Sequence, residues 1–211
     1  MGDAIKQRII EKAGEMFPRF GFSKVTIDEL SEELGISKKT IYRYFTSKDE
    51  IADAVYKWTV MSVKTRLQEI MQEPIDYLDR LYMLCEFIGQ FLSRMHKTAQ
   101  QDLIKHRPDL WEKIELYRKQ EVFPIFENVL DEGIKLGIVR RDIQKDLTLL
   151  VMTSAVEGIL TPEILIHKPF SAEDAFRSII DIFFNGVLTD KARSYYRKRS
   201  SIKKKKGAIR K

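Results

Sequence analysis

The chain has 211 residues, of which 44% are hydrophobic, ten are glycine and six are proline. This length accommodates one large domain or two small ones, and the long periodic segments between the glycines and prolines predict an all-α fold. The sequence has no run of about 18 apolar residues, and its charged N-terminus lacks the apolar core of a secretory signal, so we expect a cytoplasmic protein without a membrane span. A single cysteine, Cys85, excludes an intrachain disulfide and fits a reducing compartment.

The net charge of +6 is distributed unevenly. Residues 1–48 carry nine basic and seven acidic residues, residues 49–190 have a net charge of −7, and residues 191–211 carry 11 basic residues and no acidic one. We therefore expect attraction to nucleic acid to come from the two ends of the chain. The tail, residues 191–211, is either a solvated end or a basic arm that adds salt-sensitive, sequence-independent affinity for nucleic acid.

The first predicted helix spans residues 4–20 and stops at Gly21. Its apolar residues share one side: Ile5, Ile9, Ala13, Met16, Phe17 and Phe20. Pro18 is unusual in this position because it removes a backbone donor and clashes with the carbonyl of Gly14. It predicts either a kinked or loosened last turn or an end of the helix near Phe17.

The stretch from Thr26 to Lys48 predicts a helix, a glycine turn, a second helix and the start of a third. Thr26 and Glu29 have the spacing of a capping box, which satisfies two backbone N–H groups at a helix start. One face of the first helix is apolar, through Ile27, Leu30 and Leu34. Gly35 ends this helix because glycine readily adopts the left-handed conformation that a sharp exit requires.

The second helix of this stretch has an apolar back and a polar front. Ser37 is placed to cap it, and Ile41 and Phe45 would face the core. The front carries Lys38, Lys39, Tyr42 and Arg43, a combination that suits the major groove of DNA. The pattern alone is equally compatible with an ordinary helical hairpin that exposes a lysine-rich face. A second capping box, Ser47 with Glu50, predicts the start of the next helix.

A dense set of positions across residues 8–51 then points to a known family: Gly21-Phe22, Thr26, Ile27, Leu30, Leu34-Gly35-Ile36-Ser37, Thr40-Ile41-Tyr42, Tyr44-Phe45 and Ser47-Lys48-Asp49-Glu50-Ile51. With these residues the segment resembles the DNA-binding domain of the TetR family of bacterial regulators. It departs from the family at Ser31, where an alanine usually faces the second helix, and at Pro18.

The resemblance implies a DNA-binding transcriptional regulator with an N-terminal three-helix helix-turn-helix domain (1–47), a larger helical ligand-binding and dimerisation domain (48–190) and the basic tail (191–211). Residues expected to contact phosphates are Thr26, Lys38, Tyr42, Tyr44 and Lys48. Residues better placed for base edges are Lys39, Thr40 and Arg43, although Lys39 and Thr40 could exchange roles. Ser37, at the start of the reading helix, completes the predicted DNA-binding set.

Helices are predicted over most of the remaining chain. One runs from Ser47 to about Met71, and in the TetR family the corresponding helix is the lever between ligand and DNA. Others are predicted at 75–96, 99–106 and 109–136, the last bent by Pro124. Cys85 lies on the apolar stripe of the helix at 75–96, so we expect an inert core thiol.

Two apolar stripes with the same spacing end the folded part of the chain, one in residues 147–159 and the other in residues 176–188. They could simply close the core of one subunit. In the TetR family, however, the last two helices form a four-helix bundle with their copies in a second subunit. The resemblance therefore implies a homodimer interface, for which we expect Val151, Ser154, Ala155, Gly158, Phe176, Ile180, Phe183, Phe184 and Val187.

The family resemblance also implies a pocket for a small-molecule inducer, which we expect to be apolar or amphipathic. Each aromatic or methionine residue in the body is more often ordinary core, but as a group they supply a lining. The expected set is Tyr56, Trp58, Met61, Phe87, Phe91, Met95, Phe123, Phe126 and Met152.

No catalytic residues, metal site or cofactor is predicted. The three histidines are scattered, the glycines are isolated and no nucleophile motif occurs. The preferred hypothesis is a homodimeric repressor that an inducer releases from a palindromic double-stranded DNA operator. The alternatives are a DNA-associated structural protein without a ligand and a small helical enzyme.

Overall fold

The computed structural model describes residues 2–94, 96–165 and 168–196. It confirms the all-α prediction, and within these ranges the sole strand-like pairing is an isolated antiparallel bridge between Val139 and Leu188. The α-helices are α1 (Gly2–Phe20), α2 (Ile27–Leu34), α3 (Lys38–Tyr42), α4 (Lys48–Gln72), α5 (Tyr77–Ser93), α6 (Lys97–His106), α7 (Pro108–Tyr117), α8 (Phe123–Lys135), α9 (Lys145–Ile159), α10 (Pro162–Leu165) and α11 (Ala172–Val187), with a π-helix at Arg118–Val122. Residues 190–196 are helical as well.

The chain divides into two compact units. The first unit comprises Met1–Glu73 and Gln90–Gln120, and the second comprises Pro74–Gly89 and Glu121–Lys211. The helix-turn-helix segment thus shares a unit with α4, α6 and α7. These structural units differ from the functional domains expected from the sequence. The boundary at residue 47 between a DNA-binding and a regulatory domain stays a prediction.

The core of the first unit is built from the apolar faces of α1 to α4. The side chains of Ile9, Ala13, Ile41 and Ile51 are fully buried there, and Leu110 of α7 joins the same cluster. These residues recur at three- and four-residue spacings, which is why one face of each helix is removed from water. The helix-turn-helix segment is therefore held by a hydrophobic core of its own unit.

The second unit buries parts of α5, α8, α9 and α11. Leu84, Val129 and Phe184 are completely buried. The Tyr77 hydroxyl donates to the Val129 carbonyl (2.9 Å), and the Cys85 sulfur lies 3.7 Å from that of Met152. Complete burial raises the pKa of the Cys85 thiol to about 12, as expected for an unreactive core cysteine.

Two prolines settle open points of the sequence analysis. Helix α1 passes through Pro18 and continues to Phe20, so an end near Phe17 is excluded. The helix expected at 109–136 forms as an unbroken helical run from Pro108 to Lys135, in which α7, the π-helix and α8 follow one another without a gap. Pro124 is the second residue of α8 and directly follows the π-helix, so the backbone donor that it lacks is missing inside the helical run and not at a free helix start. The π-helix accommodates the change of register before it.

Several predicted features fall outside the described residues, among them Met95, His167 and the tail from residue 197 onward. Within the described part of the chain, no helix is both long enough and apolar enough to cross a membrane. The same part contains no cluster of three or more His, Cys, Asp or Glu side chains arranged to hold a metal ion.

Candidate DNA-binding site

The start of α2 forms the capping box that the sequence predicted. The Thr26 hydroxyl accepts from the Glu29 backbone N–H (3.2 Å), and the Glu29 carboxylate accepts from the Thr26 backbone N–H (2.8 Å). The Thr26 hydroxyl also donates to that carboxylate. These bonds, the backbone one first, hold the pKa of Glu29 below its ordinary value. The Thr26 side chain reaches solvent, but its hydroxyl already has internal partners.

The turn between α2 and α3 follows from one glycine. Gly35 has φ 64° and ψ 34°, a left-handed conformation that glycine adopts without a steric penalty. The chain then turns back, so that the Ile36 N–H donates to the Ser31 carbonyl (3.0 Å). Ser31 is buried and donates its hydroxyl to the Asp28 carbonyl (2.8 Å), which explains how serine replaces the family's usual alanine.

Helix α3 is short and two-faced. The Ser37 hydroxyl accepts from the Thr40 backbone N–H (3.1 Å) and so caps the helix. Ile41 is fully buried and Phe45, just beyond the helix, is 2% exposed, as the sequence predicted. The opposite face carries the predicted contact residues: Lys38, Lys39, Tyr42 and Arg43 are exposed, while Thr40 and Tyr44 are half-buried.

Two of these contact residues have partners within the chain. Lys38 pairs with Asp28 of α2. The Thr40 hydroxyl lies 2.9 Å from that of Ser37. Both sites are exposed, so water or DNA can replace these partners at small cost.

Lys48 is placed differently from the sequence prediction. Its ammonium group donates to the carbonyls of Phe22 (2.9 Å), Val25 (3.0 Å) and Ser23 (3.3 Å), and it lies 4.5 Å from the centre of the Phe22 ring. All three ammonium protons are thus used on the loop between α1 and α2. A phosphate contact by Lys48 would require breaking at least one of these bonds, and that contact stays a prediction.

The second capping box forms in part only. The Ser47 hydroxyl accepts from the Glu50 backbone N–H (3.1 Å) and caps α4. The Glu50 carboxylate instead accepts from the backbone N–H of Thr46 (2.6 Å), one residue earlier than expected. The bonds from Thr46 lower the pKa of Glu50. The link between α3 and α4 is consequently fixed by side chains on both sides.

A charged cluster that the sequence analysis missed lies beside the start of α4. Arg107, between α6 and α7, is 8% exposed and donates to carboxylates of Asp49, Asp53 and Asp109. The sequence does not reveal it, because two of its partners, Asp49 and Asp53, lie 58 and 54 residues away along the chain. Phe22 is flanked by Lys48 and by the Arg107 guanidinium, which is 5.8 Å from the ring centre.

The residues predicted to bind a ligand have different environments. Tyr56 and Trp58 pack against the core of the first unit, and Met61 is 65% exposed. Phe126 and Met152 are buried in the second unit, where Phe87 and Phe123 are half-buried, as is Phe91 in the first. An open surface pocket of about 830 Å³ lies in the first unit, where Met16, Phe20, Glu32 and Thr98 are among its lining residues. None of the predicted ligand residues that the structure describes is among the residues lining it.

The residues predicted to form a dimer interface also fall into two groups. On α9, Val151, Ser154 and Gly158 are exposed and Ala155 is half-buried. On α11, Ile180, Phe184 and Val187 are buried within the single chain, so their side chains leave no surface for a partner. Phe176 and Phe183 are half-buried. The exposed apolar residue of α11 is Ile182, at 74%, which the sequence analysis had not selected.

Comparison with known proteins supports the DNA-binding assignment. The sequence profile described as "Bacterial regulatory proteins, tetR family" matches residues 9–55, which span α1 to the first turns of α4. A regulator of Bacillus subtilis, the uncharacterized HTH-type transcriptional regulator YvaF, is 25% identical over 185 residues, which are 87% of this chain and 96% of that protein.

Two solved structures share the fold. A putative transcriptional regulator from Saccharomonospora viridis in complex with choline has a TM-score of 0.72 at 19% identity, over 89% of this chain and 99% of that one. The transcriptional regulator FadR from Bacillus subtilis in complex with stearoyl-CoA has a TM-score of 0.65 at 19% identity, over 85% and 98%. Together with the capped helix-turn-helix, the profile identifies residues 9–55 as a DNA-binding domain of the TetR family, and the relative supports a bacterial transcriptional regulator of this family.

Proposed function

We propose that this protein is a homodimeric repressor that binds a palindromic operator and that a small-molecule inducer releases from DNA. The observation that carries the proposal is the two-faced α3, whose back is buried through Ile41 while Lys38, Lys39, Tyr42 and Arg43 are exposed. A short helix with this front fits the major groove, where long basic and hydrogen-bonding side chains reach base edges. As a DNA-bound regulator, the protein would act in the cytoplasm.

The proposed contacts divide by chemistry. Lys39, Thr40 and Arg43 would read base edges, and Thr26, Lys38, Tyr42 and Tyr44 would bind phosphates, with Ser37 at the start of the reading helix. Phosphate contacts fix the register on the duplex, whereas base contacts supply the sequence preference. The 197–211 part of the basic tail, outside the described residues, would add non-specific affinity through counterion release.

A second copy of the chain is the proposed occupant of the exposed apolar face of the second unit. On α9 this face continues beyond the predicted residues to Leu147 and Leu150, which are 53% and 56% exposed. On α11 we now assign Ile182 and the neighbouring Gly186 to it, in place of the buried positions. Large exposed apolar patches of this kind mark protein–protein interfaces. Two reading helices would then occupy successive major grooves, roughly 34–36 Å apart.

The dimer face can be tested at Gly158. A Cβ atom added there meets no described atom of the same chain within 4 Å, so we expect substitution to leave the fold of the monomer intact. We expect Gly158→Leu to shift the protein from dimer to monomer in light scattering. Gly158→Ala, a matched control that adds one methyl group, should remain dimeric. A dimer that persists in Gly158→Leu would place the interface elsewhere.

The proposed inducer is apolar or amphipathic, and the aromatic and methionine residues predicted from the sequence are the proposed lining of its site. The two related folds described above hold choline and stearoyl-CoA, so the fold alone does not fix the ligand. Release would follow a population shift, in which the inducer binds more tightly to the conformation that does not fit the operator. Helix α4 is the proposed lever for this change.

Footprinting on the DNA upstream of the protein's own gene tests the proposal. A discrete palindromic footprint that an added acyl-CoA or quaternary amine abolishes supports an inducible repressor. Uniform coating supports a structural DNA-associated protein instead. Transcription from the same promoter, measured with and without the protein, separates a repressor from an activator.

The placement of the reading helix is tested by Tyr42→Ala. Tyr42 is 52% exposed, so its removal should leave the fold unchanged and lower operator affinity by at least about tenfold, because it removes a contact at the centre of the reading face. Tyr195→Ala, at a tyrosine of the second unit with 55% exposure, is the control. Operator affinity that survives in Tyr42→Ala would show that α3 is not the reading helix.

A further inference from the structure

Arg107 makes the densest set of charged contacts described in the first unit. Its Nε and Nη2 donate to the two carboxylate oxygens of Asp109 (both 2.9 Å). Its Nη1 donates to Asp49 (3.1 Å), and its Nη2 also donates to Asp53 (3.0 Å). A planar guanidinium can serve several carboxylates at once because its five N–H groups diverge in one plane. Arg107 therefore ties the junction of α6 and α7 to the start of α4.

The partners of Arg107 determine what it can hold in place. Asp49 and Asp53 lie four residues apart on the first two turns of α4, so two points of one helix face are fixed. Helix α4 begins six residues after α3 ends, and the side chains of Ser47 and Glu50 fix the short link between them. The direction of α4 and the position of α3 are thus coupled through a short, hydrogen-bonded segment.

Arg107 also contacts the other side of the helix-turn-helix. Phe22, in the loop before α2, has the Arg107 guanidinium 5.8 Å from its ring centre and the Lys48 ammonium 4.5 Å from it. Lys48 holds the carbonyls of the same loop. The Phe22 ring, in the loop before α2, is therefore contacted both by Lys48 at the start of α4 and by Arg107.

A second tie reaches the same loop from α6. The Asp102 carboxylate accepts from the Ser23 backbone N–H (2.7 Å) and from the Ser23 hydroxyl. It also lies against Gly21, where a Cβ atom would come within 3.1 Å of a carboxylate oxygen. The C-terminal half of α6 and the start of α7 are therefore built onto the helix-turn-helix at two separate points.

We propose that Arg107 is a positioning residue for DNA reading: it fixes the first two turns of α4 against the loop before α2 and so holds α3 at the angle that base contacts require. This inference rests on the proposed function. It assigns part of the reading apparatus to a residue far beyond the segment 9–55 that the family profile matches. The reading unit would then comprise α1 to α4 together with the junction of α6 and α7.

The proposal predicts an effect on specificity that a general loss of stability would not produce. Base readout requires side chains to be held within about 0.5 Å of a productive geometry. Phosphate contacts by long, flexible lysines tolerate larger shifts and depend on charge. A loosened α4 should therefore weaken binding to the operator while binding to an unrelated duplex is maintained.

The experiment compares the full-length protein with Arg107→Met, which keeps an unbranched stem and removes the charged guanidinium group. Fluorescence anisotropy gives the affinity for a footprinted operator and for a scrambled duplex of equal length, at several salt concentrations. Arg118→Met is the matched control, since it removes the same charge from a residue of the same unit that pairs with Glu115 (3.0 Å).

We expect Arg107→Met to lose at least about tenfold in operator affinity while its affinity for the scrambled duplex stays within about twofold, since each base contact is worth roughly a factor of ten. Arg118→Met should change both affinities equally. A similar loss on both duplexes in Arg107→Met, or no loss on either, would overturn the proposal. Circular dichroism and light scattering establish whether each variant is folded and dimeric.

If Arg107→Met does not fold, Asp53→Asn supplies the test, because it removes the charge of one partner of the arginine at a side chain that is 41% exposed. It should reduce operator affinity selectively by about threefold, a part of the full effect. Equal losses on both duplexes would again overturn the role of Arg107. A wild-type protein that binds operator and scrambled DNA equally would contradict the proposed function itself, whereas normal discrimination in wild type and variants alike would contradict only this inference.

Discussion

The contacts inside the first unit differ in kind from those inside the second. In the first unit, ionic hydrogen bonds join separate elements: Arg107 binds the aspartates of α4, and Lys48 binds the carbonyls of the preceding loop. In the second unit, aromatic rings fill the spaces between helices, as where Phe184 contacts Tyr196 edge-on at 4.8 Å between ring centres. Ion pairs also occur there, among them Arg80 with Glu132 and Lys145 with Asp131, and the deepest side chains are apolar, as in the first unit.

This difference indicates what each unit tolerates. Ionic hydrogen bonds have a defined geometry, so they fix angles between helices and respond to pH and to loss of charge. Aromatic packing depends on volume and responds to added or removed atoms. A DNA-binding unit requires helices that are held at fixed angles. A unit proposed to form a dimer requires a well-packed, stable interior. Changes directed at each kind of contact should therefore have effects confined to it.

The largest effect is expected at Gly89, where volume is decisive. The Phe176 ring packs directly onto the Gly89 backbone, and an added Cβ would overlap it. We expect Gly89→Ala to lower the free energy of unfolding by about 1–3 kcal/mol, because overpacking displaces a ring that other residues surround. Denaturant unfolding, monitored by circular dichroism, measures this loss in the free energy of unfolding.

Gly158→Ala is the matched control for this prediction. It makes the same change in a helix of the same unit, but within the single chain its new methyl group meets no described atom within 4 Å. It should leave stability unchanged or raise it by up to about 1 kcal/mol, since alanine favours the helix. Equal effects of the two substitutions would show that the Phe176 contact does not limit the packing of the second unit.

The sequence was sufficient for those features of the fold that depend on neighbouring residues. The capping box at Thr26, the left-handed Gly35 and the buried back of α3 were all predicted, because each is specified within a few residues. The helical character of α9 and α11 was also evident from spacing alone. These features include most of the proposed DNA-reading surface, which explains why the site was easier to place than the rest.

The features that the sequence could not supply depend on distant parts of the chain. Helix α11 has apolar residues on more than one side, and their positions in the sequence do not reveal which side a neighbouring helix covers. In the structure Phe184 is buried and Ile182 is exposed. The phosphate contact of Lys48 stays a prediction, and its bonds to the loop carbonyls could not be predicted because these lie more than 20 residues away along the chain. Arg107 gave no local signal, since its role requires α4 to lie beside it.

A smaller effect is expected from Lys48→Met, which separates two roles of this lysine. Loss of the three carbonyl bonds should lower the free energy of unfolding by about 1–2 kcal/mol, a value reduced for the partial exposure of the site. The salt dependence of DNA binding should stay the same. If Lys48 instead binds a phosphate, stability should be unchanged and the slope of log affinity against log salt should fall by about one. Lys39→Met, at an exposed position on α3, provides the comparison.

The smallest effect is expected from Asp109→Asn, and it depends on pH. Hydrogen bonds from Arg107, opposed by some desolvation, lower the pKa of Asp109 from its ordinary 3.8 to about 2. A carboxylate whose pKa is lower in the folded state stabilises the protein above its unfolded pKa, and this contribution is lost as the pH falls from about 4 towards 2. The midpoint of thermal unfolding in wild type should therefore fall more steeply across this interval than in Asp109→Asn. The two proteins should differ most near neutral pH and converge near pH 2. Parallel curves would show that the ionic contacts of Arg107 contribute little to stability, and the contrast between the two units would then rest on packing alone.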